Sequence, residues 1–229
     1  LNFYNSYVNL KYILVKDNLS EEFKNIINTD AYKTRVEYLK GETIFKQGAF
    51  APYVLYVVEG LAKVFLQTGI DKNINISVVS KGEFLAFSSV FGEPVHTYSA
   101  QAITNSKICM IEKESFQRIL LNNPEFALNI TSQNYRTEKH LLEIIRNLSY
   151  KQMRGKLASA LIYLCQPDFL QQNIFDFLTR QDIADFAAIS TESAIKFLKE
   201  FEKEKLLTLD GKKVIIRDFS QLENISKSG

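Results

Sequence analysis

The chain has 229 residues and carries 28 Lys and Arg against 26 Asp and Glu, a formal charge of +2 that excludes a globally basic protein. Hydrophobic residues make up 46%, which excludes intrinsic disorder and allows a core without disulfides or structural metal, in one or two domains at roughly 100–200 residues each. The two cysteines, Cys109 and Cys165, and the two histidines, His96 and His140, are too few and too dispersed for a disulfide framework or a metal-centred enzyme. No metal and no cofactor is therefore expected.

Taken from the start, Ser20 is placed to cap a short helix whose Phe23, Ile26 and Ile27 share one face. Strand signals then run from near Arg35 to about Ile111. Val36, Tyr38 and Leu39 lead to a Lys40–Gly41–Glu42 turn, and Ile44 and Phe45 follow. A Val-, Leu- and Tyr-rich run spans Tyr53 to Glu59, and Gly60 breaks it before Leu61 to Gln67. Asn73 to Val79 ends at Lys81–Gly82–Glu83, and two more runs centre on Ala100 and Ile108. Short strands at even spacing, punctuated by glycine and charged turns, predict an antiparallel barrel or sandwich.

From Lys113 the apolar period becomes helical. Pro124 suits a helix start, and Glu125 to Tyr150 predicts one helix of about seven turns, ~39 Å long. Leu141, Ile145 and Leu148 step by four and three, the spacing of a helix–helix seam, whereas the same steps backward meet Glu138, Asn134 and Thr131. A helix with such a seam is expected either to dock on a second copy of itself, the favoured reading, or to pack on its own domain. After Gly155, Lys156 to Leu164 predicts a short amphipathic helix, and Gln166–Pro167–Asp168 a loop. No run reaches the ~18 apolar residues of a membrane span, and no signal-peptide layout is present, so a cytoplasmic protein without membrane contact is expected.

Leu178 to Glu204 is the most informative stretch. Thr179 with Asp182 three positions on has the form of a capping box, and Ile183, Ala184 and Phe186 make the apolar face of a two-turn helix. Ala187–Ala188–Ile189 forms a break. Ser190 can cap a second helix facing inward with Ala194, Phe197, Leu198 and Phe201. Two helices joined by so short a turn predict a helix-turn-helix, whose second helix lies in the DNA major groove. Thr191, Glu192, Ser193 and Lys196 would then face bases: a carboxylate accepts from cytosine, an ammonium donates to guanine. Thr179, Arg180 and Gln181 at the first helix start can hold phosphates. Asp210–Gly211 between two apolar runs is a hairpin signal that predicts a wing, with Lys212 and Lys213 as phosphate contacts.

On these residues the chain resembles the cyclic-AMP receptor protein / fumarate–nitrate regulator superfamily of bacterial transcription factors, over about residues 20 to 220. LTRQDIADFAAISTESAIKFLKEFEKEKLLTLDGKKVII is similar to that family's DNA reader and wing. KGETIFKQGAFAPYVLYVVEGLAKVF, KGEFLAFSSVF and HTYSAQAITNSKICMI resemble its cyclic-nucleotide-binding β-roll. The resemblance implies an α+β fold: an antiparallel β-roll with N-terminal helices over residues 1–123, a long dimerisation helix over 124–150, and a winged helix-turn-helix over 151–229. It also implies a homodimeric, non-enzymatic regulator whose partners are double-stranded DNA, a second copy of the chain through Leu141, Ile145 and Leu148, and RNA polymerase. In the family's reader Glu192 occupies the Glu position, Lys196 the second Arg position and Thr191 the first. Thr179, Arg180 and Gln181 match its phosphate-contacting residues.

The effector positions depart from the family. Ala86–Phe87 stands where cyclic-AMP-binding members have Gly-Glu, His96–Thr97 where they have Arg-Ser, and Leu141 and Leu142 where they have Thr-Ser. A cyclic phosphate needs a permanent forked cation and a ribose hydroxyl needs an acceptor. Two such losses, at ~1.5–3 kcal/mol per charged hydrogen bond, argue against cyclic AMP. Phe87, Ser88, His96, Thr97, Tyr98 and Leu141 are the candidate pocket residues. The pocket either takes another, apolar or aromatic, molecule or is filled by its own side chains. The alternative from another class is a ligand-binding signalling module that uses its C-terminal helices for protein contacts.

Overall fold

The computed structural model describes residues 33–70 and 72–228, so the helix expected after Ser20 lies outside the described residues. Among the described residues eight strands come first: β1 (Lys33–Tyr38), β2 (Thr43–Phe45), β3 (Tyr53–Glu59), β4 (Leu61–Gly69), β5 (Lys72–Ser80), β6 (Phe84–Leu85), β7 (Ser99–Ala102) and β8 (Ser106–Glu112). They pair into two antiparallel four-stranded sheets, β1-β8-β3-β6 and β2-β7-β4-β5. Strand β3 is apolar from Tyr53 to Val58 because both its faces are covered there. Leu55 and Val57 join one apolar cluster with Val64, Ala100 and Ile108, while Val54 and Tyr56 join another with helical residues Phe116 and Phe126. Successive side chains of a strand point oppositely, which is how one run serves both clusters. Gly60 turns β3 into β4 at a φ of +94°, and a Cβ there would lie 2.7 Å from the Asn105 carbonyl oxygen. No other residue fits that corner.

Helix α1 (Lys113–Asn122) leads into α2 (Pro124–Tyr150). Pro124 sits in the first turn of α2, where its missing N–H has no helical partner to lose. Phe84, Phe116 and Phe126 meet edge-on at centroid separations of 5.3 to 6.4 Å and anchor both helices on the roll. Only Phe126 and Ile130 of α2 are buried. The rest of the helix leaves Tyr135, Leu142, Ile145 and Tyr150 exposed.

The remaining elements are α3 (Met153–Leu164), α4 (Pro167–Leu170), a 3-10 turn at Ile174–Asp176, α5 (Arg180–Ala187), α6 (Thr191–Lys203), the hairpin β9 (Leu207–Asp210) and β10 (Lys213–Ile216), and α7 (Phe219–Ser228). The loop expected at Gln166–Pro167–Asp168 is instead the entry to α4. Gln166 takes the extended conformation a residue before proline prefers, and Pro167 presets the first helical φ. Leu157, Leu161, Ile183, Leu198 and Phe201 form the core of this half, and Leu61, Val78 and Ile103 of the roll belong to the same cluster. The architecture is α+β: an antiparallel β-roll, a long helix and a C-terminal winged helix-turn-helix.

Candidate functional site

The two-helix corner is built by local capping chemistry. The Thr179 hydroxyl accepts from Asp182 N at 3.0 Å, and the Asp182 carboxylate accepts from Thr179 N at 2.8 Å, closing a capping box. Helix α5 ends at Ala188, which adopts a left-handed conformation (φ 50°, ψ 46°) without being glycine. Ile189 N donates to Ala184 O at 3.1 Å across this end. Ser190 Oγ then accepts from Ser193 N at 3.2 Å and starts α6. Burial of Ala194, Leu198 and Phe201 fixes the rotation of α6, leaving Glu192 and Lys196 exposed on the other side.

The other positions expected to read bases do double duty. Thr191 Oγ1 donates to Gln181 Oε1, and Gln181 Nε2 donates to Asp185 Oδ1 at 2.6 Å, so a polar relay ties α6 to α5. Burial raises the Asp185 pKa. Thr191 and Ser193 are half-buried. Glu192 is held below the usual carboxylate range by its own backbone N–H and the Ser190 hydroxyl. It is an ionised acceptor at neutral pH.

Arg180 departs from the simple picture of a free phosphate contact. Its Nη2 donates to Gly211 O at 2.9 Å, in the turn between β9 and β10, and its Nη1 is buried without a partner among the described residues. Arg180 therefore ties the start of α5 to the wing. Lys213 Nζ lies 3.0 Å from Asp176 Oδ2, whereas Lys212 is exposed beside Gly211. Thr179 is exposed at the start of α5.

His96 and Tyr98 meet around Phe45, and the Tyr98 hydroxyl reaches Ala86 beside Phe87. A cavity of about 380 Å³ lies among β5, the 3-10 turn Phe87–Phe91, α2 and α3, lined by Ser77, Phe84, Arg136, His140 and Tyr163, and of the six candidates only Phe87 lines it. The His96 ring is buried and stacks on Phe45 at 3.8 Å. Burial lowers the His96 pKa, so its ring is neutral at neutral pH. The Tyr98 hydroxyl accepts from Ala86 N at 2.8 Å, and its ring lies 5.5 Å from that of Phe45. Ser88 is half-buried, Thr97 exposed, and Leu141 lies 38% exposed on α2. At His96 and Tyr98 the roll interior is occupied by its own rings.

Several residues emerge here that sequence reasoning did not single out as site residues. Lys63 of β4 forms an ion pair with Asp182, and Asn75 Nδ2 donates to Asp182 O at 3.0 Å. The Lys63 and Asp182 side chains are each 14% exposed, and this pairing, with the Thr179 bonds, outweighs burial and holds the Asp182 carboxyl below its ordinary range. His140 and Tyr163 stack with centroids 4.4 Å apart. None of these contacts leaves a local signal, because the partners come from different elements. Among the described residues no His, Cys, Asp and Glu group of three or more is placed to hold a metal, and no helix is long and apolar enough to cross a membrane.

Comparison with known proteins matches residues 35–123 to the cyclic nucleotide-binding domain and residues 155–225 to the Crp-like helix-turn-helix domain. The chain is 25% identical to the cAMP-activated global transcriptional regulator CRP of Salmonella typhimurium over 188 residues, 79% of this chain and 88% of that protein. It is 21% identical to a CRP-like cAMP-activated global transcriptional regulator of Mycobacterium tuberculosis, over 82% of this chain and 85% of that one. FixK2 from Bradyrhizobium japonicum shares the fold with a TM-score of 0.70 at 17% identity, covering 87% of this chain and 100% of FixK2. The regulator CLP of Xanthomonas campestris shares it at 0.71 and 19% identity, over 81% and 94%. With a cyclic-nucleotide-binding roll followed by a Crp-like reader, matched in that order along one chain, the protein belongs to the cyclic-AMP receptor protein / fumarate–nitrate regulator (Crp/Fnr) superfamily of transcription regulators.

Proposed function

We propose that the protein is a cytoplasmic, homodimeric, sequence-specific DNA-binding regulator in which α6 of each protomer enters the major groove of a pseudo-palindromic site. Residues 1–123, 124–150 and 151–229 act as roll, dimerisation helix and reader. The observation that carries this reading is the exposure of Glu192 and Lys196 on the first two turns of α6, opposite the buried face of Ala194, Leu198 and Phe201. Glu192 accepts from a cytosine amine and Lys196 donates to guanine, with Thr191 and Ser193 beside them. Thr179, Gln181 and Lys212 hold phosphates. Arg180 and Lys213 act on the backbone from the wing side. Lysine lacks the planar fork of arginine, so Lys196 gives a half-site preference of its own. RNA polymerase is the further partner of such a regulator.

Cyclic AMP is not the effector on this reading. Phe87 offers the ribose no acceptor, and a neutral His96 stacked on Phe45 offers the phosphate no cation. An effector of another kind acts by binding one placement of the reader better than another.

The test is a titration of labelled duplexes enriched from a random library on the wild-type protein. Lys196→Ala should weaken the enriched duplex about tenfold and relax preference at one base pair. Lys212→Ala should weaken all duplexes alike and reduce the salt slope by about one. Weak retention of every duplex, lost with salt and indifferent to Lys196, would favour protein contacts through the C-terminal helices instead.

A further inference from the structure

Among the described residues strand β5 is at the edge of its sheet, paired with β4 on one side. An edge strand leaves backbone N–H and C=O groups facing outward, and folds must cover or blunt them. Here two side chains from two different helices take up that edge. His140 Nε2, on α2, lies 2.9 Å from Ile76 O, and the Tyr163 hydroxyl, on α3, accepts from Val78 N at 2.9 Å. Facing a carbonyl, His140 Nε2 carries the proton and donates. The two rings stack at 4.4 Å with planes 16° apart. One donor and one acceptor are thus presented side by side to positions two residues apart, as a neighbouring strand would present them.

The same edge is held a third time by the reader itself. Asn75 Nδ2 donates to Asp182 O at 3.0 Å, and Lys63 pairs with the Asp182 carboxylate. Leu61 and Val78 of the roll complete the seat within the apolar core of the C-terminal half. The Tyr163 and Asp182 contacts grip α3 and α5, and His140 joins α2 to the same strand. Glu192, Lys196 and Lys212 stay exposed and take no part.

We propose that His140 and Tyr163 are positioning residues for DNA reading: the stacked pair docks the outer edge of β5 and, with Asp182 on Lys63, holds the winged helix in one orientation relative to α2. This rests on α6 being the DNA reader. Between α2 and α3 the chain runs through only Lys151 and Gln152, both in extended conformation. Without the clasp the reader pivots there. Two readers in a dimer must meet half-sites at a fixed separation, so freedom of orientation in the free protein is lost on binding and subtracts from affinity.

The experiment uses the full chain and the duplex enriched by the wild type. Tyr163→Phe keeps the ring and removes the hydroxyl. His140→Leu removes the donor, and His140→Gln restores a donor of similar reach. Tyr163→Phe and His140→Leu should each weaken binding about tenfold, while His140→Gln stays within about twofold of wild type. The salt slope should be unchanged in all three, because no phosphate contact is removed. Faster amide exchange at Val78 in Tyr163→Phe should report the opened edge. Unchanged or tighter binding by Tyr163→Phe and His140→Leu overturns the proposal, as does His140→Gln behaving like His140→Leu, which marks mere packing. If the wild type itself enriches no duplex, the DNA reading fails, and that failure is distinct from variants that bind as well as wild type.

Discussion

Aspartate at Leu141 and Ile145 together is expected to convert the proposed dimer to monomers and to weaken binding to a two-half-site duplex by about 10²–10⁴-fold. Helix α2 buries Phe126 and Ile130 in its first two turns and nothing from residue 131 to residue 150. Leu141 is 38% exposed and Ile145 59% exposed within one protomer, and Leu148 is half-buried one turn further on. Their four-and-three spacing makes a stripe suited to a second α2, as the proposed dimer requires. Carboxylates at both positions would put like charges on the apolar stripe through which the helices are proposed to pair. Losing the dimer leaves each reader to bind one half-site alone, which removes the gain from linkage. Sedimentation equilibrium and anisotropy on the enriched duplex measure the two effects. A Leu141→Asp, Ile145→Asp double variant that remains dimeric would show that the pairing lies elsewhere.

Phe126→Ala is expected to cost ~3–5 kcal/mol of stability, a large part of the ~5–15 kcal/mol by which a typical domain is folded. The ring is fully buried, 6.1 Å from Phe116 and 6.4 Å from Phe84 by centroid. It is the anchor of α2 on the roll, and the next buried residue of the helix is Ile130. Truncation removes apolar area and leaves a void that the neighbouring rings fill only partly. Leu128, two positions on and 67% exposed, is the control, and Leu128→Ala should fall within about 0.5 kcal/mol of wild type. Urea unfolding of the two variants makes the comparison. Equal midpoints would mean that α2 is not held by this aromatic cluster.

The parts of the molecule legible in the sequence are those governed by short-range chemistry. The capping box of Thr179 and Asp182 and the Ser190 cap each involve residues within four positions of one another and form as their local pattern requires, and the expected hairpin turns at Gly211 and Lys212, one position past the Asp–Gly pair. The strands are legible as short apolar runs broken by glycine and charged turns, and the exposed side of α6 follows from the spacing of Ala194, Leu198 and Phe201. Where the outcome depends on what a distant element brings, the sequence is silent. Pro167 opens a short helix because it stands at a first turn, a position that composition alone does not distinguish from a loop. Arg180 reads as a phosphate contact by motif, yet its guanidinium turns to Gly211, a partner 31 residues away. His96 aligns with an effector position and Tyr98 lies beside it in sequence, but Phe45 and Ala86 N, reached only through the sheet, are their partners. Lys63 and Asp182 are 119 positions apart, and no periodicity links them.

Hydroxyl-radical footprinting of the wild-type protein on its enriched duplex bears most directly on the claim that paired α6 helices read DNA. Two protected segments related by a dyad, with centres one helical turn or ~34–36 Å apart, are the predicted result. Protection spread evenly over any duplex, or confined to a single unpaired segment, would contradict it.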